Sequence, residues 1–114
     1  MPYLRIQTNR RLADSERPAL LQAASRTVAD ALGKPERYVM VALEDGVPMI
    51  FAGDETPLAY LELKSIGLPE SRTAELSAVL CDFVVERLDI STDRIYIEFA
   101  DAPRSFWGWN RGTF

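Results

Sequence analysis

The chain has 114 residues and is 47% hydrophobic, enough to bury one core and too little for two, so a single domain over 1–114 is expected. With 13 basic against 17 acidic residues and a net charge of −4, it lacks the positive field of a nucleic-acid or anionic-membrane binder. One cysteine excludes an internal disulfide, histidine is absent, and no apolar run approaches the roughly 18 residues of a membrane span; with no signal-peptide pattern, a cytoplasmic protein is expected.

Pro2 heads the alternating run Tyr3-Leu4-Arg5-Ile6-Gln7-Thr8, which predicts a strand. A small residue at position two favours removal of the initiator methionine, and Pro2 would then carry a terminal secondary amine. An α-amino group starts near a pKa of about 8, and burial or a neighbouring cation leaves it neutral and basic at physiological pH. Pro2 can equally be no more than the opening of an edge strand, where a missing N–H is tolerated. While Met1 remains, the proline nitrogen is an amide and no base.

From about Ser15 to Leu32, apolar Leu20, Leu21, Ala24, Val28, Ala31 and Leu32 recur at helical spacing, and Gly33 supplies the stop. Lys34 follows, where a cation favours the helix dipole without any ligand. A strand is expected over Glu36–Val41, a turn at Glu44-Asp45-Gly46, a short extra strand from Val47 to Phe51 and a loop from Gly53 to Thr56. Another alternating run covers Ala59–Ser65. The second helix, about Glu70 to Leu88, carries Leu76, Val79, Leu80, Phe83, Val84 and Leu88, with Cys81 as a core packer. Asp93–Glu98 reads as a strand. The terminal Ser105–Phe114 holds both tryptophans and two of the five phenylalanines. Since a tail frays unless docked, this one either makes a core or subunit contact or walls an apolar ligand site.

The chain repeats at an offset of 57 residues: Pro2–Thr8 lies over Ala59–Ser65, and Glu36–Val41 over Asp93–Glu98. Two matches at one shift indicate a duplicated strand–helix–strand unit. Two right-handed crossovers then give an α+β fold, a four-stranded sheet with two helices on one face plus short extra strands. Leu4, Ile6, Leu61, Leu63, Ile95, Ile97 and Phe99 can face the helices, leaving Arg5, Gln7, Glu62, Lys64, Tyr96 and Glu98 on a half-polar face suited to self-association.

Pro2 at the head of a strand, Gly33-Lys34-Pro35, Lys64-Ser65-Ile66-Gly67, Asp93-Arg94-Ile95-Tyr96-Ile97 and Gly108-Trp109-Asn110 before Thr113-Phe114 together resemble the macrophage migration inhibitory factor family of the tautomerase superfamily. The resemblance implies a homotrimer with active sites between subunits and cofactor-free, metal-free keto–enol tautomerase activity on phenylpyruvate-like or dopachrome-like substrates. It assigns the catalytic base to Pro2, the substrate carboxylate to Lys34 and a backbone N–H donor to Ile66. The resemblance also implies that Tyr96 comes from the adjoining subunit and that Tyr38, Trp107, Trp109 and Phe114 form the apolar pocket. Glu98 replaces an asparagine common in the family's pocket, with Arg5 or Arg104 as candidates to neutralise it. Pro57-Leu58-Ala59-Tyr60 stands where many animal members carry Cys-x-x-Cys, so thiol-redox chemistry has no residues here. The family's extracellular cytokine activity implies the alternative, a signalling or partner-binding protein with a vestigial pocket.

Overall fold

The computed structural model describes residues 1–114. Alternation gives β1 (Tyr3–Thr8), whose side chains are buried at every second position. The apolar stripe gives α1 (Glu16–Leu32), closed by Gly33 in the left-handed region at φ 63°. The chain returns as β2 (Met40–Glu44) and, after the 45–58 loop, as β3 (Ala59–Ile66). The second unit adds α2 (Thr73–Leu88) and β4 (Ile95–Ala102), and a terminal hairpin pairs β5 (Gly108–Trp109) with β6 (Gly112–Thr113).

The sheet runs β2-β1-β3-β4. β1 is parallel to β2 and antiparallel to β3, and β3 is parallel to β4. Each half is therefore a parallel strand–helix–strand unit, and the halves meet at the central β1–β3 ladder. Leu4, Ile6, Leu61 and Leu63 bury against Leu20, Ala24 and Val28 of α1 and Leu76, Leu80, Phe83 and Val84 of α2, with Cys81 packed at the margin. The opposite face carries ions: Arg5 lies 2.7 Å from Glu44 and 3.6 Å from Glu62, and Lys64 lies 3.9 Å from Glu62.

Four segments differ from the sequence reading. No strand forms over 47–50, where Pro48 has no N–H to give a ladder; only Phe51 makes a bridge, to Asp54. Residues 36–38 and 92–94 are 3₁₀ turns, so β2 and β4 start later than expected. Glu70–Arg72 is likewise a 3₁₀ turn ahead of α2, set by Pro69 at φ −79°.

Arg94 fastens the 51–57 loop to the sheet. Its guanidinium donates to the carbonyls of Phe51 (3.0 Å), Thr56 (2.8 Å) and Asp54 (3.3 Å) and pairs with the Asp54 carboxylate at 3.0 Å. It also lies over the Phe51 ring, which packs 4.6 Å from Tyr96.

Asp45 ties β2 to the start of α1. It takes Arg17 Nε and Nη2 at 3.0 Å each and the Leu12 N–H at 2.8 Å, and these bonds hold its pKa at about 2 against an ordinary 3.8. A depressed carboxyl stabilises the fold above its ordinary pKa and loses that contribution as pH falls through the folded value. Asp45→Asn is expected to cost about 1–2 kcal/mol at pH 7, and the gap to wild type should close between pH 4 and pH 2. Urea unfolding across that range checks this, and a gap independent of pH would refute it.

Candidate active site

Pro2 is fully buried at the head of β1, in the middle of the sheet, and its carbonyl accepts the Met40 N–H at 3.0 Å. Pro2 therefore opens a central strand rather than an edge strand. A missing N–H is tolerated there because Pro2 precedes the first ladder pairs, Tyr3 with Met40 and Tyr3 with Lys64. Ahead of it, the Met1 amine donates to the Tyr38 carbonyl at 2.7 Å.

Around this terminus lies a cavity of about 210 Å³ lined by Met1, Tyr38, Met40, Trp107, Trp109 and Phe114, with Arg37 and Val39. Its walls hold one another. Trp109 and Phe114 stack with centroids 5.3 Å apart, and both meet the Tyr38 ring edge-on, at 5.9 and 5.8 Å. The tail is thus docked onto the turn before β2 through the β5–β6 hairpin, whose tip residues Asn110 and Arg111 both have positive φ. Arg37, Val39 and Met40 were not singled out from sequence; lying beside Tyr38 in a tight turn was the available signal.

Lys34 lies close enough to the terminus for its charge to act on the Met1 amine. Its ammonium donates to the Ile66 carbonyl at 3.3 Å, so it is held to the end of β3 as well as to the end of α1. Ile66 itself is buried. Lys34, Ile66 and Arg104 line a groove of about 430 Å³.

One chain does not bring Tyr96 and Glu98 to this place. Strand register sets Tyr3 beside Lys64 and Lys64 beside Ala100, so Tyr96 lies four residues, about 13 Å, along β4 from the level of Tyr3. Tyr96 is 64% exposed and lines an all-apolar groove of about 490 Å³ with Met49, Ile50, Phe51, Leu58 and Tyr60. Glu98 is exposed on β4 beside Glu62 and has no ion-pair partner; Arg5 is committed to Glu44 and Glu62, and Arg104 makes no ion pair.

Comparison with known proteins fits this geometry. The family described as "Macrophage migration inhibitory factor (MIF)" matches residues 1–114. The chain is 41% identical to a macrophage migration inhibitory factor homolog of Brugia malayi, covering 100% of this chain and 99% of that protein. It is 35% identical to the mouse factor at the same coverage. The crystal structure of a homologue from Prochlorococcus marinus superposes with a TM-score of 0.91 at 46% identity, covering 98% of both chains. The factor from Trichinella spiralis gives 0.89 at 32% identity over 98% and 99%.

Electrostatics at the terminus work against protonation. Burial first, and then the positive charge of Lys34, lower the pKa of the Met1 amine below its ordinary 8.0, because both disfavour the ammonium form. Removing the lysine charge should therefore raise it. On the chain that keeps Met1, Lys34→Ala is expected to move the amine titration toward pH 8, as read by the pH dependence of amine labelling or by NMR. A titration unmoved by the substitution would contradict the assignment.

Proposed function

Because this chain belongs to the macrophage migration inhibitory factor family, we propose that it is a cofactor-independent keto–enol tautomerase of phenylpyruvate-like or dopachrome-like substrates, with the Pro2 amine as general base once Met1 is removed. The observation that carries this reading is the setting of the terminus. Pro2 is buried at the head of a central strand, and the residue ahead of it, Met1, lines the aromatic cavity and has its amine depressed by burial and by Lys34.

In the reaction, Lys34 takes the substrate carboxylate and the ring enters the cavity between Tyr38, Trp109 and Phe114. The Pro2 nitrogen removes the proton on the carbon next to the ketone as the carbon–carbon double bond forms, and the ketone oxygen gains a proton to give the enol. The reverse path returns the proton from the prolinium. Met1 lines the same cavity, so its removal both frees the base and clears the room.

A homotrimer completes the site. The open apolar groove at Tyr96 is the patch that a second copy covers, and the neighbour then brings Tyr96 and Glu98 toward Pro2. Glu98 favours the protonated amine, opposes Lys34 and repels the substrate carboxylate, which makes this a weaker keto-acid tautomerase than one with a neutral residue there.

Two measurements test this. Phenylpyruvate tautomerisation should fall about 10²–10⁴-fold in Pro2→Gly and in protein retaining Met1, and equal rates with and without Met1 would end the proposal. With a chain mass of 12.8 kDa, sedimentation equilibrium should report a species of about 38 kDa for a closed threefold ring. A monomer at micromolar concentration would remove the intersubunit site.

A further inference from the structure

The groove beside Lys34 holds a second cation. Arg104 lines it together with Lys34, Ile66, Gly67 and Asp101. Neither Lys34 nor Arg104 pairs with a carboxylate, and they are the two cations that line this groove. The one acid in the groove, Asp101, is occupied in accepting the Leu68 N–H at 3.0 Å. Counting it, Lys34 and Arg104 leave the groove one net positive charge, with the chain's terminal amine alongside.

The backbone at Arg104 is held by a short turn, and its side chain is exposed. Pro103 opens a 3₁₀ turn over Arg104–Phe106, with Phe106 N–H on the Pro103 carbonyl at 2.9 Å and Trp107 N–H on the Arg104 carbonyl at 3.2 Å. One short turn thus delivers Arg104 to the groove and Trp107 to the aromatic cavity. The two compartments differ in what they accept. The aromatic cavity has one cation, Arg37, lying over the Tyr38 ring at 4.7 Å, whereas the groove presents two, Lys34 and an Arg104 guanidinium fork suited to a carboxylate.

We propose that Lys34 and Arg104 form a two-cation seat for substrates carrying a second acidic group, so that this site prefers short 2-keto dicarboxylates over monocarboxylates of the same length. The inference rests on the tautomerase reading for its chemistry. The Pro2 amine removes a proton from the carbon between the ketone and the second carboxylate, the carbon–carbon double bond forms, and the prolinium passes a proton to the ketone oxygen and is neutral again; nothing is oxidised and no group leaves. That proton is activated from both sides, and a cation beside the second carboxylate offsets the charge that would otherwise oppose its removal.

The test uses protein with a free Pro2 amine and has a catalytic and a binding arm. In the first, kcat/KM for ketonisation is measured with the enols of oxaloacetate and of the monocarboxylate 2-ketobutyrate, in wild type, Arg104→Ala and Arg104→Lys. The dicarboxylate preference is expected to fall about tenfold in Arg104→Ala, the size of one charge-assisted hydrogen bond, and to be largely kept in Arg104→Lys. In the second, calorimetry compares the non-reacting malate with lactate. Tighter malate binding that is lost in Arg104→Ala supports the seat, even if neither enol is turned over; that result would instead overturn the tautomerase reading. Turnover of monocarboxylate enols with no dicarboxylate preference, or malate binding no tighter than lactate, overturns the seat and leaves that reading intact.

Discussion

The position of β1 in the centre of the sheet is the constraint on which the rest depends. A first strand with neighbours on both sides cannot fray, so the chain's terminus is held between ladders and Pro2 is buried completely. Burial there does two things with one arrangement. It removes water from the terminal amine, and it sets that amine against the ends of α1 and β3, where Lys34 bonds to the Ile66 carbonyl. Had β1 been an edge strand, the same proline would head a solvated end with an ordinary amine.

Much of this architecture was legible in the amino-acid order. The 57-residue repeat is realised closely: α1 begins at Glu16 and α2 at Thr73, the same offset, and β1 and β3 share the central ladder. Periodicity marks both helices, β1 and β3, which bury a stripe or an alternate face in one core, and the repeat points to β4 and to the first two residues of β2, whose last residue, Glu44, is expected in a turn. Turn chemistry was harder to read. Proline at 35 and 69 starts 3₁₀ turns that take residues from the following strand and helix, and β-branched Val47 and Ile50 look like a strand although Pro48 and the lack of a neighbour within the chain prevent one.

The site was legible in part. Tyr38, Trp107, Trp109 and Phe114 line one cavity with Met1, next to the buried Pro2 in sequence, while Lys34 and Ile66 line a separate groove. Tyr96 and Glu98 lie elsewhere on the chain, and the pitch of a strand keeps them there. Arg104 went unread as a groove residue because what places it is a short turn after β4, a feature with no periodicity to announce it. Arg94 belongs to the same class. Its role is to gather the carbonyls of a loop, and carbonyls are invisible in a pattern of side chains.

Both ends of the chain meet at one residue. Tyr38 receives the Met1 amine on its carbonyl and the Phe114 ring against its own ring. Connectivity and architecture are therefore separable in this molecule. A circularly permuted chain, joined across Tyr38 and opened in the 45–58 loop, would keep every strand neighbour and both halves of the core. It would nonetheless begin at a different residue, and Pro2 would be an ordinary amide inside a continuous backbone. The fold needs these strands side by side; the proposed chemistry needs one of them to come first.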